Sequence, residues 1–159
     1  TVIDVVTACR VVSVLHDLGV LSLYDFTSAF PSVSRSFILL VMQFSGFPAW
    51  SVSLTSASWA GAKIVDEQGQ LLYLMSGGVG QGCPAAASAF VIGINPLLTA
   101  LQYELNVAGG ETLSAFADDI AIVAMHLFHT LRYLAPVFAT LRAASCLAVN
   151  PKKTVVIPL

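Results

Sequence analysis

The order of elements in the sequence predicts an α+β fold, a split βαβ arrangement in which one antiparallel sheet is backed by helices. Three observations predict it. Stretches with helical spacing alternate with short β-rich runs, AKIVDEQGQLLYLM has the form of a hairpin, and 57% hydrophobic against 10% charged residues supply one large core for 159 residues. Strand, helix, hairpin, helix, strand is the order of a split βαβ sandwich.

Each element has its own signal. Residues 3–16 read as a helix, and VLSLYDF (20–26) is β-rich enough for a short strand. From Val33 the apolar positions Val33, Phe37, Leu40, Val41 and Phe44 recur at helical spacing until Gly46 and Pro48 stop them. A second short helix is expected over 49–59. In the hairpin, two apolar runs flank the polar turn DEQGQ. From Ala85 the stripe Phe90, Ile94, Leu97, Leu98, Leu101 and Leu105 fits one helix face, which Pro96 is expected to kink or to restart at Asn95. A strand pair over 112–117 and 120–124, a helix carrying Leu127, Leu131, Leu134, Phe138 and Leu141, and a final strand TVVIP complete the chain.

Composition excludes several classes. The three cysteines, Cys9, Cys83 and Cys146, are odd in number and lack C-x-x-C spacing, which argues against a disulfide framework and a zinc site and for a reducing, intracellular setting. A secretory signal is not expected. Mean hydropathy is +0.83, and 36–62 and 68–103 lack Asp, Glu, Lys and Arg. The first is broken by SGFPAWS and the second by SGGVGQGCP, so buried helices are expected and not bilayer spans of ~20 residues. There is no internal repeat, low-complexity tract or linker, and the ends, Thr1 and VVIPL, look cut. The expectation is a piece of a longer protein, with no membrane partner.

The chemistry starts from LSAFADDIAIVA, where Asp118 and Asp119 stand side by side in an apolar setting. A hairpin tip is a common place for Asp, so a turn explains the pair taken alone. Asp25 changes that reading. It lies in LSLYDFTSAF with no Lys or Arg nearby in sequence, and a split βαβ sheet would bring it beside Asp118. Clustered carboxylates repel one another and are stable as ions around a divalent cation. Oxygen ligands suit Mg²⁺, and two such ions about 3.5 to 4 Å apart clamp the attacking and leaving oxygens of phosphoryl transfer.

The succession LYDFTSAFPS, GGVGQGCP, FADD, LAVNPKKT resembles motifs A, B, C and D of the reverse transcriptase palm, most similar to those of non-LTR retrotransposons and group II introns. The resemblance covers Leu21 to about Thr154. It implies a palm with the ferredoxin-like or RRM-like split βαβ sheet, residues 1–159 forming a single domain with partial fingers, and thumb and accessory domains elsewhere. It also implies RNA-directed DNA polymerase activity, in which two Mg²⁺ ions, or Mn²⁺ in their place, promote attack of a primer 3′-hydroxyl on a dNTP. The implied partners are an RNA template, a DNA primer, a dNTP and the rest of the parent polyprotein.

Residue by residue, the resemblance makes Asp25 and Asp118 the metal-binding carboxylates and Asp119 the supporting acid of the FADD box. Phe30 matches the aromatic gate against a 2′-hydroxyl, with an ordinary core phenylalanine as the alternative. The main-chain amides of Phe26 to Phe30 are candidates for holding the triphosphate. SGGVGQG is neither a dinucleotide fingerprint nor a P-loop; the resemblance assigns Gln81 and Gly82 to the loop lining the nascent base pair. In LAVNPKKT the pattern Asn-x-x-Lys lands on Asn150 and Lys153, whose ammonium could protonate the departing pyrophosphate; Lys152 is its competitor. His126 and His129, three apart, are expected on the surface.

Departures accompany the matches. The net charge is −2 with only seven Lys plus Arg, little for a protein that holds a polyanion. Ser28 stands where many relatives carry lysine, and Pro31 where many carry aspartate. Arg10 and Arg35 are the nearby cationic candidates. The chain alone is expected to be inactive, and a decayed, non-catalytic remnant or an apolar membrane-associated protein are the alternatives.

Overall fold

In the computed structural model of the chain, which describes residues 2–80, 83–109 and 111–159, helix α1 (Val2–Leu15) leads into strand β1 (Val20–Tyr24). In β1, Val20, Ser22 and Tyr24 are buried and alternate with the more open Leu21 and Leu23, the period of a strand with one face on the core. A four-residue helix α2 (Ala29–Ser32) follows, then α3 (Arg35–Phe44) and α4 (Ala49–Trp59). The predicted start at Val33 falls two residues early, because the Ser34 hydroxyl accepts the Phe37 amide and so caps α3 from outside.

Strands β2 (Lys63–Val65) and β3 (Leu71–Leu74) form the predicted hairpin as a separate two-stranded sheet. Its turn is held by the Asp66 carboxylate, which accepts from the Gln68 and Gln70 amides. Helix α5 (Ala86–Ala108) runs through Pro96 without interruption, so the chain does not restart a helix at Asn95. Phe90 and Ile94 before the proline and Leu97, Leu101 and Leu105 after it are all buried on one stripe, and burial at ~1.5–3 kcal/mol per side chain outweighs the ~3 kcal/mol disadvantage of an interior proline. This helix is long and apolar enough to span a bilayer, but its stripe faces the protein core.

Strands β4 (Thr112–Phe116) and β5 (Asp119–Ala124), helix α6 (Leu127–Ser145) and strand β6 (Val155–Pro158) complete the fold. The main sheet is antiparallel throughout, in the order β4-β5-β1-β6. Its register runs from Val20 opposite Ala124 to Tyr24 opposite Ile120. One face carries Tyr24, Phe26, Ile120 and Ile122 into a core shared with α3, α5 and α6; the Tyr24 and Phe138 rings lie 5.3 Å apart there. Helix α1 packs against β4 and β5, and its Val5 and Val6 stand beside Leu23 and Ala121 on the other face. The fold is thus a mixed α/β one, an antiparallel sheet backed by helices, as the sequence predicts.

Candidate active site

Asp25 follows the last residue of β1 and lies between two buried aromatics, Tyr24 and Phe26. The pleat that sends both rings into the core turns the intervening carboxylate to the opposite face. Two main-chain hydrogen bonds fix it there, from the Asn150 amide to the Asp25 carbonyl at 2.8 Å and from the Thr27 amide to the Ala148 carbonyl at 2.8 Å. Between them Phe26 pairs with Val149. The segment before β6 is therefore stitched to the chain on both sides of Asp25.

One step beyond the Tyr24–Ile120 pair, the register sets Asp119 across from Asp25. Both line a cleft of about 470 Å³, together with Phe116, Ser114, Lys153 and Val155. Asp118 occupies the two-residue turn between Phe116 and Asp119. Ala117 beside it is left-handed, at φ 52°, a conformation that costs a non-glycine residue ~1–2 kcal/mol. Asp119 joins Asp25 on the cleft wall, and Asp118 sits at the hairpin tip, near enough for its charge to act on Lys153.

Lys153 completes the group. Asn150 heads the turn that carries it: its carbonyl accepts the Lys153 and Thr154 amides, and its side-chain oxygen accepts the Lys152 amide at 3.1 Å. The Lys153 ammonium lies 2.8 Å from Asp25 Oδ2. That oxygen is closed to solvent, and the ammonium is its ion-pair partner. Contact with Asp25, and then its charge, raise the Lys153 ammonium above the ordinary lysine range, with Asp118 and Asp119 adding to the effect. The ammonium is charged throughout the neutral range.

Phe30 is placed by packing. Its half-buried ring stacks on Phe90 with centroids 4.6 Å apart, as a phenylalanine at the core margin does, and it does not line the Asp25 cleft. The Phe26 ring is fully in the core, and the bond from the Thr27 amide to Ala148 removes that amide from the donors expected to face a triphosphate. Gln81 and Gly82 lie outside the described residues. The loop before them docks on motif A: the Gly78 amide donates to the Val33 carbonyl and the Val79 amide to the Phe30 carbonyl. His126 and His129 are exposed, as expected.

Arg35 is engaged by main-chain carbonyls. Its guanidinium donates to the carbonyls of Gly78, Trp59 and Met75 at 2.7, 3.1 and 2.9 Å and lies over the Trp59 ring, tying the end of α4, the hairpin and the glycine loop to α3. Sequence reasoning also passed over Glu111, which is buried with Oε1 2.6 Å from the Thr130 hydroxyl and Oε2 without a hydrogen-bond partner. The signal available was a glutamate immediately before the short strand TLSAF. Among the described residues no three His, Cys, Asp or Glu side chains are gathered closely enough to enclose a metal.

The profile of the reverse transcriptase (RNA-dependent DNA polymerase) family matches residues 12–158. The chain belongs to the reverse transcriptase family. No curated protein sequence matches it, and the similar solved structures are distant in sequence. Apo telomerase from Candida tropicalis superposes with a TM-score of 0.74 at 11% identity, over 98% of this chain and 31% of that one. A form of the same enzyme truncated from its C-terminal domain gives 0.71 at 13%, over 98% and 33%. Telomerase from Candida albicans, in complex with a TWJ fragment of telomeric RNA, gives 0.70 at 11%, over 97% and 29%. This reverse transcriptase chain therefore spans about a third of the solved chains that it resembles. At such identity the likeness concerns the fold, and it extends over nearly all of the reverse transcriptase chain.

Proposed function

We propose that the chain forms the palm of an RNA-directed DNA polymerase that extends a DNA primer on an RNA template, with Asp25 at the centre of its site. The observation that carries this is Asp25 and Asp119 on one cleft wall, with Lys153 2.8 Å from Asp25, in a member of this family. The donor set is all oxygen, as suits a divalent cation, and Asp25 Oδ2 is closed to solvent with the Lys153 ammonium beside it at 2.8 Å. Mg²⁺ needs only one or two carboxylates, since substrate phosphates and water supply the rest. Asp25 and Asp119 would hold it, with Asp118 adding charge from the turn. Two Mg²⁺ ions, or Mn²⁺ in their place, would stabilise charge on the attacking and leaving oxygens.

The residues of the chain do the positioning. Asp25 and Asp119 would hold the cations whose charge draws the reacting phosphate to the cleft, and Lys153 would protonate the departing pyrophosphate. The succession of motifs supports descent close to non-LTR and group II enzymes. Fingers and thumb contacts from the parent polyprotein would hold primer, template and dNTP, and the three unpaired cysteines support an intracellular setting.

Titration of the chain with Mn²⁺ in a calorimeter tests the site. Binding by the wild-type chain that is lost in Asp25→Asn and weakened in Asp119→Asn is the expected result. Absence of Asp25-dependent binding in a chain shown to be folded overturns the catalytic reading. The small basic complement would then favour a remnant that keeps the fold without the chemistry.

A further inference from the structure

The Asp25–Lys153 pair has two unequal halves. Asp25 is held by main-chain bonds on both sides, its side chain is only 21% exposed, and Oδ2 is closed to solvent. Lys153 is anchored just as firmly at its backbone by the Asn150 turn, but its side chain is 67% exposed. A lysine stem is flexible along its four carbons, so the ammonium can leave Oδ2 and return while the main chain stays in place. A divalent cation taken up by Asp25 needs the oxygen on which the ammonium rests, and two cations cannot share it.

We propose that Lys153 is the resting counter-ion of Asp25, the ammonium and a divalent cation occupying Oδ2 by turns. The proposal rests on the palm reading above. Lys153 then sets how tightly the site takes its cation, and arrival of the cation frees the ammonium toward the cleft, where the substrate phosphates would lie. The neighbouring Lys152 is the natural control: it carries the same charge on the same turn, yet makes no ion pair among the described residues.

Two measurements on the whole chain test this. In calorimetric Mn²⁺ titrations, Lys153→Met is expected to bind roughly tenfold tighter than the wild type, the range of one lost charge contact. Lys152→Met is expected to stay within about twofold, as exposed charges do. In the wild-type chain, acylation of Lys153 by an N-hydroxysuccinimide ester, followed by mass spectrometry, is expected to speed up several-fold when Mn²⁺ is added, and to be fast with or without Mn²⁺ in Asp25→Asn. The wild-type measurement stands even where a variant fails to fold.

Mn²⁺ binding that depends on Asp25 but responds equally to loss of either lysine, with Lys153 acylation indifferent to Mn²⁺, overturns the counter-ion role and leaves the palm site intact. Mn²⁺ binding indifferent to Asp25, or no binding by any form, overturns the palm reading and this proposal with it.

Discussion

Glu111 shows what a single buried carboxylate demands. One oxygen takes the Thr130 hydroxyl at 2.6 Å and the other has no hydrogen-bond partner, so Thr130→Val leaves both without a donor. A buried acceptor stripped of its donor costs about 1–3 kcal/mol; a lowering of stability in that range, read from urea unfolding at neutral pH, is the expected result. An unchanged midpoint would mean that Glu111 is satisfied in another way. At this scale legibility was uneven. Asp25 stood out as an acid in an apolar strand, but its ion pair with Lys153 was not read, because no local pattern joins two residues so far apart in sequence. The use of Arg35 could not be read, because it depends on three carbonyls from separate elements meeting at one point.

Elements were more legible than contacts. The helices, the hairpin and the strand pair follow from periods of 3.6 and 2 and from turn residues, which act over a few residues and need no knowledge of the fold. Where tertiary burial competes with a local rule, the local rule lost: α5 continues through Pro96. The four-residue α2 went unread because so short a segment has no period. The glycine loop carries a clear prediction. Gly78 has φ 67°, and a Cβ there would come within 2.2 Å of the Pro31 carbonyl oxygen. Gly78→Ala therefore combines left-handed strain of ~1–2 kcal/mol with a clash against backbone, and the loop must leave its seat. Thermal unfolding is expected to shift down and limited proteolysis near residue 78 to accelerate. Gly77→Ala, with nothing within 4 Å of its Cβ, is expected to change stability by no more than ~0.5 kcal/mol.

For the molecule as a whole, charge decides what it does unaided. Polyanion binding draws on neutralised phosphates, and the chain has seven Lys plus Arg with a net charge of −2. Arg35 is already engaged with carbonyls and Lys153 with Asp25. Fluorescence anisotropy with single-stranded RNA at 0.15 M salt is expected to give a dissociation constant weaker than about 10⁻⁴ M, the upper end of non-specific affinities. Micromolar binding with a steep salt dependence would reveal a basic surface that this fold does not display. The layered architecture was legible from the order of elements. The position of α1 was not, since its low amphipathicity leaves open which face of the sheet it covers.

The stitching of the segment before β6 to the end of β1 also bears on how the site comes into being during synthesis. Asp25 leaves the ribosome long before its partners Ala148, Asn150 and Lys153. Contacts that span so much sequence close late and slowly. Until they do, the nascent chain carries a carboxylate with neither its ammonium nor its main-chain anchors, so the assembled site is itself a marker that translation has passed Lys153.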